Sequence, residues 1–194
     1  LFTERTWRVP RRPADSAELS SAAELLRSAR RPLIVAGGGV HYSEARAALL
    51  ALAELLGAPV AETSAGKGAL AGHDLAVGAL GHSGTRAANA LAREADVVLC
   101  AGTRLIDLTT GSNTLFEDPA VRFVGLNVSG ADAHKLGGQP LVADARAGLE
   151  ALAEACAGPP PRARWRDAAA TAKRRWRADL DADLEPRPGE RMSQ

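Results

Sequence analysis

Aromatic side chains are scarce: three Trp, three Phe and one Tyr in 194 residues. The core must therefore be assembled from Ala, Leu, Val and Ile. Methionine occurs once, at Met192, while the chain opens on Leu1; a piece of a longer protein is expected. Cysteine occurs twice, at Cys100 and Cys156, too few and too far apart for a disulfide framework or a metal cluster. A reduced, cytoplasmic protein is the expectation. No apolar run approaches the roughly 18 residues of a membrane span, and no charged-then-apolar leader opens the chain. The net charge is only +1, so the total charge makes no case for nucleic acid.

What is present is an alternation of short apolar runs with helical stripes. Residues 1–14, with "RTWRVPRRP", read as an arginine- and proline-rich entry linker. Asp15 is placed to cap a helix, with Glu18 three residues on completing a capping box. "PLIVA" then reads as a buried strand running into Gly37, Gly38 and Gly39. Ser43 is expected to cap the next helix, which Gly57 and Pro59 end. "PVAET" is a second strand. Residues 64–80 look irregular, with a doubtful short strand in "AVGAL". Gly84–Ala95 reads as a helix, "DVVLCAG", "RFVGLNV" and "PLVAD" as strands, and Asp144 as the cap of a helix to about residue 157. The result is an α/β, Rossmann-like, doubly wound and mostly parallel sheet of about six strands across residues 15–158. Residues 159–194 read as a break, a charged helix and a linker toward a missing third domain. That helix carries Trp165, Ala169, Ala172, Trp176 and Leu180 on one face. Its partner is either the chain's own sheet or a neighbouring domain.

The candidate site follows from the strand ends. Open α/β sheets bind ligands at the carboxyl ends of their strands, and helix N-termini offer N–H groups to anions. Gly37, Gly38 and Gly39 follow the first strand, but Tyr42 stands where a dinucleotide fingerprint needs its third glycine. Glu62 sits about where a ribose-binding acid would. Gly81, Gly84 and Thr85 open a helix. Gly102 and Arg104 follow the strand ending in Ala101, and Asn127 and Asp144 stand at the ends of the last strands. These ten residues are the candidate crevice; a tight turn that needs glycine is the competing explanation for each glycine loop. Asp144 fits a helix cap better. His41, His73, His82 and His134 stand alone, without metal-ligand spacing. No catalytic residue and no metal site is indicated.

The order of the motifs carries a resemblance. "PLIVAGGGV", "PVAETSAGKGAL", "GALGHSGTRAANALAREADVVLCAGTRLIDLTTG", "FVGLNV" and "PLVADARAGLEAL" together resemble the central domain of thiamine diphosphate-dependent enzymes of the acetolactate synthase and pyruvate oxidase superfamily. The loop "TRLIDLTTG" departs from the synthases. It is similar instead to the branch that hydrolyses a carbon–carbon bond in a cyclic diketone of myo-inositol catabolism. The resemblance implies a parent enzyme that uses thiamine diphosphate and Mg²⁺ held by flanking catalytic domains, in a homo-oligomer. It implies no catalytic residue and no cofactor in this piece, because no "GDG" occurs in it. Some relatives place FAD or ADP in the crevice, so an FAD- or ADP-binding module of a synthase-like enzyme is the alternative. No membrane or nucleic-acid partner is implied.

Overall fold

Every residue of "PLIVA" and of "VVLCA" is buried, as expected of strands covered on both faces. They form the centre of the sheet. The computed structural model describes residue 3, residues 10–158 and residues 162–185; most of the expected entry linker, the prolines at 159–161 and the tail beyond 185 lie outside them. In chain order the elements are α1 (Ser16–Ser28), β1 (Pro32–Ala36), α2 (Gly38–Tyr42), α3 (Arg46–Leu56), β2 (Val60–Glu62), β3 (Ala76–Ala79), α4 (Arg86–Glu94) and β4 (Val97–Ala101). They continue with α5 (Asp107–Thr110), β5 (Arg122–Asn127), α6 (Gly130–Ala133), β6 (Gln139–Val142), α7 (Ala145–Ala155) and α8 (Ala163–Asp183).

The six strands are all parallel, in the order β3-β2-β1-β4-β5-β6. The chain starts mid-sheet, works out to one edge, returns past β1 and works out to the other. The direction of winding reverses between β1 and β4, and the crevice opens there. Alternate residues of each central strand serve opposite layers. Ile34 and Leu99 face α1, α3 and α7 with Leu26, Leu52 and Leu149. Leu33, Val35 and Val98 face the other layer with Leu91 of α4 and Trp165 of α8.

The doubtful strand in "AVGAL" is real. It is the edge strand β3, shifted in register against β2 between Val60 and Ala61. Gly78 interrupts it at φ +89°, and a Cβ there would meet the Thr85 side chain. Thr85 Oγ1 donates to the Val77 carbonyl at 2.7 Å, so the strand bends to seat the cap of α4. This bend blurs the period-two pattern.

Two local expectations need correcting. Ser43 does not begin α3: it closes the short α2, and its hydroxyl donates to Asp144 Oδ2 at 2.7 Å. Asp15 does cap α1, accepting from the Ala17 and Glu18 N–H groups. Glu18 does not complete a capping box; its Oε2 accepts from the Val142 N–H at 2.8 Å and satisfies the edge strand β6. Both corrections come from partners more than a hundred residues away, which local patterns do not register.

The charged C-terminal helix packs on the chain's own sheet. Trp165 and Ala169 are buried in the α4 layer, and Trp165 Nε1 donates to the Pro32 carbonyl at 2.8 Å. Just before the helix, the Arg162 guanidinium donates to the carbonyls of Leu26, Arg27 and Ala29 at the end of α1 and of Leu56 at the end of α3. A cation at two helix C-termini meets the partial negative charge and unpaired carbonyls found there. Trp176 and Leu180 are only half-buried.

Candidate functional site

The crevice lies at the carboxyl ends of β1, β4 and β5 and encloses about 620 Å³. Gly38, Gly39, Gly102, Arg104 and Asn127 line it. Its floor is a contact between two glycine turns. The Gly37 N–H donates to the Ala101 carbonyl at 2.8 Å and the Gly39 N–H to the Gly102 carbonyl at 3.0 Å. The Gly102 N–H donates to the Leu126 carbonyl at 2.8 Å. A Cβ on Gly39 would stand 2.7 Å from Gly102 Cα, and one on Gly102 would stand 2.6 Å from Gly39 Cα. The turn after β1 and the turn after β4 therefore interlock through bare backbone, and both need glycine. An anion site requires unengaged N–H groups; in these two turns the N–H groups of Gly37, Gly39 and Gly102 already hold the sheet ends together.

The Gly81–Thr85 loop is turned inward in the same way. The Gly81 N–H donates to Asn89 Oδ1 and Asn89 Nδ2 donates back to the Gly81 carbonyl, both at 2.9 Å. The Gly84 N–H donates to the Gly81 carbonyl, and the Thr85 N–H to the Ala79 carbonyl. Thr85 Oγ1 accepts from the Ala88 N–H as the cap of α4. Gly81, at φ +103°, lies under the backbone of Leu108, whose carbonyl accepts from the His82 N–H at 2.9 Å. Sequence patterns place the glycines but miss Asn89, the residue they close upon; its position in "GTRAAN" was the available signal. His82 and Ser83, rather than Gly81, Gly84 and Thr85, reach the crevice wall.

Arg104 is exposed at the rim, and its carbonyl accepts from Lys135 Nζ at 2.9 Å. Asn127 bridges two loops: Nδ2 donates to the Thr103 carbonyl at 3.2 Å and Oδ1 accepts from the Ser129 N–H at 3.0 Å. Asp144 is elsewhere. It is buried at the start of α7, where Oδ1 accepts from the Arg146 and Ala147 N–H groups. Its Oδ2 accepts from Ser43 and from Arg11 Nη1 at 3.0 Å. Burial alone would raise its pKa. The Ser43 hydroxyl, the Arg11 guanidinium and the Ala147 N–H outweigh that and hold the carboxyl below its ordinary range. Glu62 Oε2 accepts from the Gly68 N–H at 2.7 Å, so it serves its own loop. The structure thus brings Gly37–Gly39, Gly102–Arg104 and Asn127 together, sets Gly81, Gly84 and Thr85 beside them but off the crevice wall, and keeps Asp144 apart.

Of the remaining titratable groups, His82 and Asp132 line the crevice, while the cysteines, His41, His73 and His134 do not. Cys100 and Cys156 are buried free thiols, and burial raises the pKa of both, so neither is poised as a thiolate. His41 Nε2 pairs with the Lys67 carbonyl and His134 Nδ1 with the Gly130 carbonyl. Among the described residues no group of three His, Cys, Asp or Glu can hold a metal ion, and no helix is long and apolar enough to cross a membrane.

The 3-2-1-4-5-6 sheet and its switch-point crevice can be set beside known proteins. The family model of the thiamine pyrophosphate enzyme central domain matches residues 19–152, and the chain belongs to that family. It is 46% identical over 153 residues to the 3D-(3,5/4)-trihydroxycyclohexane-1,2-dione hydrolase of Halalkalibacterium halodurans, covering 78% of this chain and 24% of that protein. It is 44% identical over 156 residues to the hydrolase of the same name from Geobacillus thermodenitrificans, covering 80% and 24%. With that of Clostridium perfringens the identity is 36% over 181 residues, covering 93% and 28%. The chain spans about a quarter of the length of these curated relatives.

Proposed function

We propose that this chain is the central, non-catalytic domain of a thiamine diphosphate-dependent hydrolase that opens the ring of a trihydroxycyclohexane-1,2-dione by cleaving a carbon–carbon bond. The hydrolase reading rests on the names of the relatives and their identity of up to 46%. The role of the domain rests on one observation: the Gly37 and Gly39 N–H groups of the turn after β1 are bonded to the Ala101 and Gly102 carbonyls, and the Gly102 N–H is bonded to the Leu126 carbonyl of β5. On this reading the domain spaces the flanking catalytic domains and supports a cytoplasmic homo-oligomer. The residues here do not fit a diphosphate–Mg²⁺ site: the described ones offer no metal-binding cluster, and no acidic residue stands between glycines as "GDG". No catalytic step is assigned to them. The engaged turn N–H groups also count against an FAD- or ADP-binding module.

Turnover separates the possibilities. The full-length polypeptide carrying this domain, supplied with thiamine diphosphate and Mg²⁺, should hydrolyse the cyclic diketone, and the 194-residue chain alone should not. Hydrolysis by the isolated chain contradicts the proposal. So does a full-length enzyme that forms acetolactate from pyruvate and leaves the diketone untouched.

A further inference from the structure

The helix α8 begins against Pro32 at the amino end of β1 and reaches the start of α4, where Asp179 pairs with Arg86 at 3.4 Å. The two helices therefore run antiparallel, and along one side they enclose a groove of about 560 Å³. Its apolar lining is mostly alanine, from Ala87, Ala90, Ala168 and Ala172, with the half-buried Trp176. Its charged lining has both signs in equal number: Arg86, Arg164 and Arg175 against Glu94, Asp167 and Asp179. A nucleic acid, or a peptide of one charge, does not match such a lining.

Along α8 the signs follow an order. Asp167, Thr171, Arg175 and Asp179 stand four apart and form one ridge, with Arg164 beside its start. Turned end for end about Thr171, this ridge sets Arg175 against Asp167, Asp179 against Arg164 and Thr171 against itself. Every charge then meets its opposite. Within one copy most of these charges are unspent. Among the described residues Arg164, Asp167 and Arg175 take part in no salt bridge. Arg175 and Asp179 do not pair, although Arg177 and Asp181 do so at the same spacing, at 3.8 Å. Asp179 reaches Arg86 with both side chains more than half exposed.

We infer that this ridge is a two-fold interface: α8 of a second copy of the polypeptide lies antiparallel along it, over the groove between α4 and α8. Such a contact is isologous, so each charge pair occurs twice. Ridges of this spacing interlock when the helices cross at about −50°. The small Ala168 and Thr171 near the axis let the two backbones approach. Exposed charge pairs add little affinity; here they fix the register and the antiparallel sense. The inference takes from the proposed function only that the parent is a homo-oligomer, and none of the hydrolase chemistry.

Oxidative cross-linking of the full-length polypeptide tests this. The axis places position 171 against itself, so Thr171→Cys should join two copies under mild oxidation. Arg177→Cys, on the far side of the helix from the ridge, should not. Cys100 and Cys156 are buried, and the polypeptide without either substitution sets the background. Adding Asp167→Arg or Arg175→Asp to Thr171→Cys makes each 167–175 pair like-charged, and the cross-linked fraction should fall several-fold. Adding both restores opposite charges and should recover it. Asp167 and Arg175 are exposed in a single copy, and recovery in the double reversal separates lost pairing from lost folding. An absent cross-link overturns the inference. So does one that either single reversal leaves intact, or a loss that the double reversal does not repair. Cross-linking requires no turnover. A cross-linked protein that leaves the diketone intact would sink the hydrolase reading and leave this inference standing; an active hydrolase without the link does the reverse.

Discussion

Gly102→Ala should destabilise the domain by about 2–5 kcal/mol, enough to leave much of it unfolded at 37 °C if its stability is ordinary. Two effects add. Gly102 sits at φ +61°, a left-handed conformation that costs a residue with a Cβ roughly 1–2 kcal/mol. The new Cβ would also stand 2.6 Å from Gly39 Cα and 3.0 Å from Gly39 N. Backbone cannot rotate aside as a side chain can, so the turns after β1 and β4 must separate, at a cost of roughly 1–3 kcal/mol for forced overpacking. Separation also breaks the Gly39 N–H bond to the Gly102 carbonyl. Gly130→Ala is the control. A Cβ there meets nothing within 4 Å, and the site opens a helix, so urea denaturation should show no loss. A Gly102→Ala protein of unchanged midpoint would mean that the two turns do not depend on the bare-backbone contact between Gly39 and Gly102.

Asp144→Ala should cost about 2–4 kcal/mol. It removes the cap of α7, typically worth roughly 0.5–2 kcal/mol, and strips a charged acceptor from the buried Ser43 hydroxyl and from Arg11. Arg11 is partly exposed and can rehydrate; Ser43 cannot. The pH dependence follows from the lowered pKa of the folded carboxyl. The unfolded chain binds the proton more readily, so the carboxylate's contribution is complete above the ordinary value of 3.8. It is lost as the pH falls through the folded value. Asp144→Asn retains an oxygen acceptor for the cap and should therefore lose less at neutral pH. It should also flatten the acid limb of the stability curve. A steep acid limb that survives Asp144→Asn would place the titration elsewhere.

The sheet is legible in the sequence because a buried parallel strand has to be apolar on both faces, and "PLIVA" and "VVLCA" can be little else. The strand β3 is not, since Gly78 bends it around Thr85. The glycine loops were locatable, yet their state was not. Whether Gly37 and Gly39 offer N–H groups to a ligand depends on Ala101 and Gly102, which lie more than sixty residues on and meet them only once β1 and β4 pair. The same holds for Asp144. Its position before a helix reads as a cap, and its ties to Ser43 and Arg11 emerge only with the fold. The Trp165 stripe could have faced either the sheet or a neighbour. The indole bond to the Pro32 carbonyl shows that its first turns face the sheet.

The central claim is that a nucleotide-shaped crevice has been retained as architecture. Isothermal titration of the folded 194-residue chain with FAD, and separately with ADP, tests it most directly. With the Gly37, Gly39 and Gly102 N–H groups committed to the Ala101, Gly102 and Leu126 carbonyls, neither ligand should give saturable heat at micromolar concentration. Saturable binding of either, lost in Arg104→Ala, would contradict the account and make the crevice a working cofactor site.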